Sequence, residues 1–340
     1  MEIRLNGIVC RSADECAEVA NEEIARFYCE WNNTLPYVLG RTSGSTGNPK
    51  EIKLIKADME ASARLTNEFF GITDETTMLL CLSPSYIAGK MMMVRAMISG
   101  ADLQVVSPSS SPLSSLKRIP DFAAMVPMQV QCSLNESETR EKLAGIGSLI
   151  IGGAPVTPAL ETSLQTLPVK CYATYGMTET VSHIALRDLG FTDTPYQALG
   201  EVTFEIDDRG CLIINTPHLS CSRFVTNDEV RLKDARRFHW LGRHDNVVNS
   251  GGVKLFPEEI EQKISECIKR RYFVMGKPDL RLGEKLVLII EGEEMPPDEI
   301  LRLQSDMERI LIPYQRPKEI LFISRFKETY SGKVIRDIQE

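Results

Sequence analysis

Among its nine cysteines this chain has no C-x-x-C pair; it has only four histidines, two tryptophans and no uninterrupted apolar run of membrane-spanning length. Each absence removes a class of protein. Without paired spacings there is no zinc-finger or disulfide framework, so Cys10, Cys16, Cys29, Cys81, Cys132, Cys171, Cys211, Cys221 and Cys267 are expected to be reduced, several of them in apolar surroundings. A span needs roughly 18 consecutive apolar residues, and Met1-Glu2-Ile3-Arg4 lacks the apolar core of a signal peptide; a cytoplasmic protein is expected. A basic excess is missing too. The 39 Lys and Arg against 47 Asp and Glu leave a net charge of −8, which argues against nucleic acid as a partner. No internal repeat is visible.

What is present is an ordinary globular composition, 43% hydrophobic and 25% charged, over 340 residues, enough for two domains. Residues 13–32 place Cys16, Val19, Ala20, Ile24, Phe27, Tyr28 and Trp31 at helical spacing, predicting one amphipathic helix ahead of the first strand. From about 56 to 235, helical segments alternate with short apolar runs such as Met78–Leu82, Leu103–Val106 and Ser148–Ile151, the pattern of an α/β domain. Ser107–Ser115, with Pro108 and Pro112, reads as a surface connection, and Asp207-Asp208-Arg209-Gly210 as the turn of a β-hairpin. A second unit begins near Gly242–Asn246. It contains a Gly251-Gly252 turn, a helix opening at Pro257, strands at Tyr272–Met275 and Leu286–Ile290, a helix near 297–310 and a polar tail carrying Lys333. The expected division is 1–242, a hinge at 243–246, and a small α+β domain over 247–340.

The run Thr42-Ser43-Gly44-Ser45-Thr46-Gly47-Asn48-Pro49-Lys50 packs hydroxyls, flexible backbone and a cation together. Inward-turned N–H groups, hydroxyl donors and the Lys50 charge suit phosphate, although a surface turn has the same composition. It is not a Walker loop, because Asn48 and Pro49 separate Gly47 from Lys50. Tyr37–Leu39 before it and Glu51–Ile55 after it predict a loop between two strands. Three further segments carry chemistry: Tyr175-Gly176-Met177-Thr178-Glu179, the stretch Gly242–Gly252 leading into Pro257-Glu258-Glu259-Ile260-Glu261, and Ser331-Gly332-Lys333-Val334-Ile335-Arg336. Thr178 and Glu179 alone would also serve as a helix cap, and a lone lysine in a polar tail would be solvated.

These four segments, in this order, make the chain resemble the acyl-adenylate-forming superfamily of acyl- and aryl-CoA ligases, luciferases and adenylation domains, over nearly its whole length. The resemblance implies a large α/β adenylate-forming domain, shortened at its N-terminus, and a small mobile C-terminal domain. It also implies ATP, Mg²⁺ and coenzyme A. By the family pattern, Thr42, Ser43, Gly44, Ser45, Thr46, Gly47 and Lys50 hold the phosphates, with Glu179 and Thr46 at the metal. Gly152, Gly153, Ala154 and Pro155 lie against adenine with Tyr175 and Gly176. Asp228 accepts the ribose hydroxyls, assisted by Arg243; the family glycine before this acid is Asn227 here, a residue that tolerates left-handed backbone. Lys333, with Glu179 and Lys50, is a catalytic residue. Asp245 is the hinge, and Gly251 and Gly252 serve the thioester step.

Ser85–Met92, Val126–Val130, Tyr175–Ile184 and Asn249–Lys254 look like the o-succinylbenzoate-CoA ligases of menaquinone synthesis. An aromatic dicarboxylate requires an apolar slot and donors for a distal carboxylate. Tyr86, Lys90, Thr178, Ser182 and His183 are the acyl-pocket candidates. His183 could equally be a neutral donor, while Met91-Met92-Met93 reads as core. The shortened N-terminus suggests a homodimer covering the exposed face. Another acyl- or aryl-acid ligase, a stand-alone adenylation enzyme, or a non-catalytic nucleotide binder are the alternatives.

Overall fold

The computed structural model describes residues 1–41, 51–328 and 334–338. The chain opens with strands rather than a helix: β1 (Ile3–Leu5) and β2 (Ile8–Cys10) pair antiparallel across Asn6-Gly7, both in left-handed backbone. The helix expected over 13–32 is two, α1 (Ala13–Val19) and α2 (Glu22–Asn32). Asn21 makes the break, because its side chain accepts from the N–H groups of Glu23 and Ile24 and so starts a new helix. α2 buries Ile24, Phe27, Tyr28 and Trp31, one face at helical spacing. β3 (Tyr37–Arg41) and β4 (Glu51–Ile55) then pair antiparallel, so the hydroxyl-rich run lies between two strands.

Alternation follows: α3 (Lys56–Phe70), β5 (Thr77–Leu80), α4 (Ile87–Ser99), β6 (Asp102–Val105), β7 (Phe122–Met125), α5 (Pro127–Asn135), α6 (Ser137–Gly145), β8 (Ser148–Ile151), α7 (Pro158–Gln165) and β9 (Lys170–Gly176). β1, β6, β5, β7, β8 and β9 are parallel neighbours in that order. The central strands β5, β7 and β8 are almost wholly apolar because both faces are covered: Met78 and Leu80 of β5 enter one core cluster, and Leu79 with the following Cys81 the other. Met91, Met92 and Met93 are fully buried in the first. The stretch 107–115 is not wholly superficial, since Pro112–Ser115 forms a 3₁₀ turn that buries Leu113.

From His183 onward the strands become antiparallel, earlier than the composition suggests. β10 (His183–Asp188), β11 (Tyr196–Ala198), β12 (Thr203–Ile206), β13 (Cys211–Asn215), β14 (Arg223–Asp234) and β15 (Arg237–Arg243) extend the same sheet to 13 strands. The β12–β13 hairpin turns at Asp207–Gly210, where the Asp207 carboxylate accepts from the N–H groups of Arg209 and Cys211. A five-stranded sheet follows, built from β16 (Val248–Ser250), β17 (Val253–Leu255), β18 (Tyr272–Asp279), β19 (Gly283–Glu291) and β20 (Glu319–Ile323), with α8 (Pro257–Lys263) and α9 (Pro297–Ile310). β20 corrects the expected polar tail: it adds to β19 in parallel, with Ile320 and Phe322 packing on one core cluster and Leu321 and Ile323 on another. Among the described residues no helix is long and apolar enough to cross a membrane.

Candidate active site

Parallel strands aligned in one sheet bring their carboxyl ends to a common edge, where ligands of open α/β sheets bind. Gly152 follows β8 there; a Cβ on it would fall 2.3 Å from the Thr174 hydroxyl oxygen, and Gly153 is left-handed at φ 83°. Only glycine fits this backbone, which leaves a flat, exposed Gly-Gly-Ala-Pro turn. Tyr86, 60% exposed, follows β5 on the same edge. The loop before it is held by Glu23 of α2, which accepts from the hydroxyls of Ser83 and Ser85.

After β9, Thr178–Thr180 forms a 3₁₀ turn, its Thr180 hydroxyl accepting from the Met177 N–H at 3.0 Å. Val181 then adopts φ 66°, ψ −48°, with the Ser182 N–H donating to the Thr180 carbonyl at 2.7 Å. This is a γ-turn on a β-branched residue, a strained conformation. It separates an exposed Glu179 from Ser182 and a buried His183. The Glu179 carboxylate has no hydrogen bond or ion pair among the described residues, and an exposed hard oxygen donor fits Mg²⁺.

Three strands converge beside this turn. The Tyr175 hydroxyl donates to Asp228 at 2.7 Å; Arg243, the register partner of Asp228, lies 3.5 Å from its other oxygen and reaches Asp245 at 3.3 Å. Burial, then the Asp228 charge, pushes the Tyr175 hydroxyl well above its usual range, keeping it a donor. Its ring packs against Tyr196 and Phe238, with centroids 5.7 and 5.1 Å away. Asn227 needs no left-handed backbone: it lies within β14, where its side chain accepts from Arg209 at 3.0 Å and donates to Asp245 at 3.5 Å.

The acyl-pocket candidates divide. Lys90 turns away from Ser182 and His183: its ammonium pairs with Glu30 at 2.8 Å and sits 4.5 Å over the Phe27 ring. Arg95, also on α4 and missed in the sequence reading, takes the place expected of Lys90. It is 2% exposed and donates to the Ser182 hydroxyl at 2.9 Å and the Met92 sulfur at 3.6 Å. Its Nε is buried without a partner, and no acid pairs with it among the described residues. Burial pushes its pKa down to about 9, so it remains charged at neutral pH. The His183 ring meets Thr66 and Ser182, both at 3.3 Å; burial, then the Arg95 charge, holds it well below its usual pKa and therefore neutral. The signal for Arg95 was a single cation inside Met91-Met92-Met93-Val94-Arg95-Ala96-Met97.

Gly251 and Gly252, at φ 58° and 82°, make the left-handed turn between β16 and β17, and Asp245 sits in the 3₁₀ turn His244–Asn246 linking β15 to β16. Thr42, Ser43, Gly44, Ser45, Thr46, Gly47, Lys50 and Lys333 lie outside the described residues. Glu328 and Val334 bridge on either side of the segment that holds Lys333. Beyond it, Arg336 grips Glu261 through two hydrogen bonds of 2.6 and 2.8 Å.

A model of the AMP-binding enzyme family matches residues 17–232, and the chain belongs to that family. It is an enzyme of the acyl-CoA synthetase and ligase class. It is similar to an acyl-CoA synthetase (AMP-forming)/AMP-acid ligase II-like protein from Dyadobacter fermentans, at 36% identity and TM-score 0.65, over 96% of this chain and 97% of that one. A probable 2-succinylbenzoate–CoA ligase from Mycobacterium tuberculosis is 26% identical over 87% of this chain and 81% of its own length. The o-succinylbenzoate coenzyme A synthetase of Bacillus subtilis, solved with ATP and magnesium, shares the fold at TM-score 0.75 and 21% identity, over 88% and 68% of the two chains.

Proposed function

We propose that this enzyme activates 2-succinylbenzoate with ATP and passes the acyl group to coenzyme A through a bound acyl-adenylate. The observation that carries the choice of acid is Arg95: a buried cation with hydroxyl and thioether partners but no acid among the described residues is suited to an anion brought by the substrate. A dicarboxylate offers one carboxylate for activation and a second for Arg95. Ser182 and neutral His183 add polar contacts beside it. The relatives that carry this ligase name support the same acid.

In this reading the Gly152–Pro155 turn lies against adenine, and Asp228, oriented by Tyr175 and Arg243, accepts the ribose hydroxyls. Thr42–Lys50 holds the phosphates. Glu179 and Thr46 would hold Mg²⁺, which when bound neutralises phosphate charge. Lys333 stabilises the negative charge that develops in adenylation. Residues 1–242 and 247–340 act as two domains; the second swings about Asp245 to present Gly251-Gly252 for the thioester step.

The test is CoA thioester formation with ATP and Mg²⁺ on 2-succinylbenzoate, beside benzoate, a medium-chain fatty acid and acetate. Strong preference for 2-succinylbenzoate is expected. Activity on another acid alone would discard the substrate and keep the chemistry. Lys333→Ala should cripple adenylation while leaving the reaction of preformed acyl-adenylate with CoA; equal loss of both would remove the assigned role.

A further inference from the structure

Between the two sheets lies a cluster that the proposed reaction does not use. Cys211 and Glu229 are register partners on β13 and β14, and His244 opens the 3₁₀ turn after β15. The thiol sulfur, a carboxylate oxygen and an imidazole nitrogen lie within 4.8 Å of one another. Cys211 and Glu229 are buried, while the His244 side chain is 35% exposed and leaves one flank open to solvent. His244 Nδ1 is 2.6 Å from Glu229 Oε1, and Lys254 of β17 is 2.5 Å from Oε2.

We propose that Cys211, Glu229 and His244 form a binding site for a thiophilic divalent cation, Zn²⁺ by the chemistry of the donors. One sulfur, one nitrogen and one oxygen suit a borderline-soft ion, and three protein ligands leave a fourth position for water on the open flank. Metal–ligand bonds of about 2.0–2.3 Å place tetrahedral ligands roughly 3.3–3.8 Å apart. The donor atoms, all within 4.8 Å of one another, need side-chain adjustments of about 1 Å to reach that spacing, and the 2.6 Å His244–Glu229 contact widens when a metal ion replaces the proton between them. The Cys211 thiol proton leaves to solvent, and no redox change is involved. Lys254 stays on the second carboxylate oxygen as the outer partner that orients a ligating acid. The metal differs in kind from Mg²⁺ beside Glu179, which needs no thiolate.

The position gives the ion a consequence. Cys211 and Glu229 belong to the large sheet, Lys254 to the small one, and His244 to the turn that holds Asp245. A bound cation fastens that turn to β14 and stiffens the junction.

The experiment uses the whole chain, stripped with a chelator and titrated with Co²⁺ as a spectroscopic substitute for Zn²⁺. One equivalent should bind with a thiolate-to-metal absorption in the near ultraviolet, raise Tm, and be displaced by Zn²⁺. Cys211→Ser should abolish the absorption. His244→Gln, a change at a partly exposed side chain, should weaken binding by at least the roughly 10–100-fold that losing an outer partner costs. No near-ultraviolet absorption in the wild type overturns the proposal. Absorption that persists in Cys211→Ser also does, since it puts the ion on another cysteine. Neither readout depends on the enzyme's substrate.

Discussion

Arg95, buried in α4, and Arg187, a β10 residue whose side chain is 14% exposed, are both arginines largely removed from water, and they are treated in opposite ways. Arg187, on β10, meets Glu161 of α7 in a two-pronged pair, both bonds 2.9 Å. Burial opposes its charge, yet Glu161 more than compensates and its pKa is raised. Arg95 has no acidic partner among the described residues, and burial alone pulls its pKa down. The small sheet follows the first pattern, with Arg336 gripped by Glu261. A cation that serves the fold is built together with its counter-ion, because a lone buried charge costs several kcal/mol. Arg95, held by Ser182 and Met92 instead, is on the proposed reading set for the charge of an incoming acid.

The largest effect should come from Arg95→Met. Removing the partner of a buried anion costs about 2–5 kcal/mol, roughly 30- to 5,000-fold in kcat/KM for 2-succinylbenzoate. Folding should be unharmed or improved, since the variant removes an uncompensated charge. A drop in Tm with activity intact would reverse the assignment. Glu161→Gln should do the opposite. It strands Arg187, costing about 3 kcal/mol of stability, visible as a lower denaturant midpoint, while turnover per folded molecule is kept.

The same contrast explains what could be read from the chain alone. The parallel half was legible because buried strands are short apolar runs, and Gly152-Gly153, Tyr175–Glu179 and Gly251-Gly252 announce their turns by residue type. Arg95 was hidden: α4 is apolar nearly all round, so periodicity assigns no special face to its one arginine. Lys90 attracted notice by its place in a motif, but its partner Glu30 is 60 residues away and only the packing of α2 on α4 joins them. Asn21 split a continuous helical pattern through side-chain capping, which a hydrophobic count does not register. β20 was missed because its strand-like residues lie between Pro317-Lys318 and Arg325, where local polarity dominates. The Cys211, Glu229 and His244 cluster depends on strand register, which no linear spacing encodes.

A pH series sharpens the comparison at intermediate size. Arg95 is charged below about 9 and neutral above it, so KM for a dicarboxylate should be flat from neutral pH to about 8. It should then rise toward roughly tenfold per unit beyond 9. The bound acid holds the proton on Arg95, so kcat should change less than KM. For the ligand-free fold the sign reverses: the depressed pKa penalises folding while Arg95 is charged, and that penalty lifts as pH rises through 9. Arg187, with its raised pKa, contributes no such loss in this window. A KM that rises already between pH 7 and 8 would point to a different group.

The smallest effect should be found where a pair is formed but scarcely buried. Lys263 and Glu259, four residues apart on α8, are 2.7 Å apart with both side chains 37% exposed. Water and salt already satisfy each partner, so Glu259→Gln should cost only about 0.2–0.5 kcal/mol and vanish at high ionic strength. Chemical denaturation at low and high salt measures this directly. A loss as large as that of Glu161→Gln would mean that pairing alone, not burial with pairing, separates structural cations from Arg95.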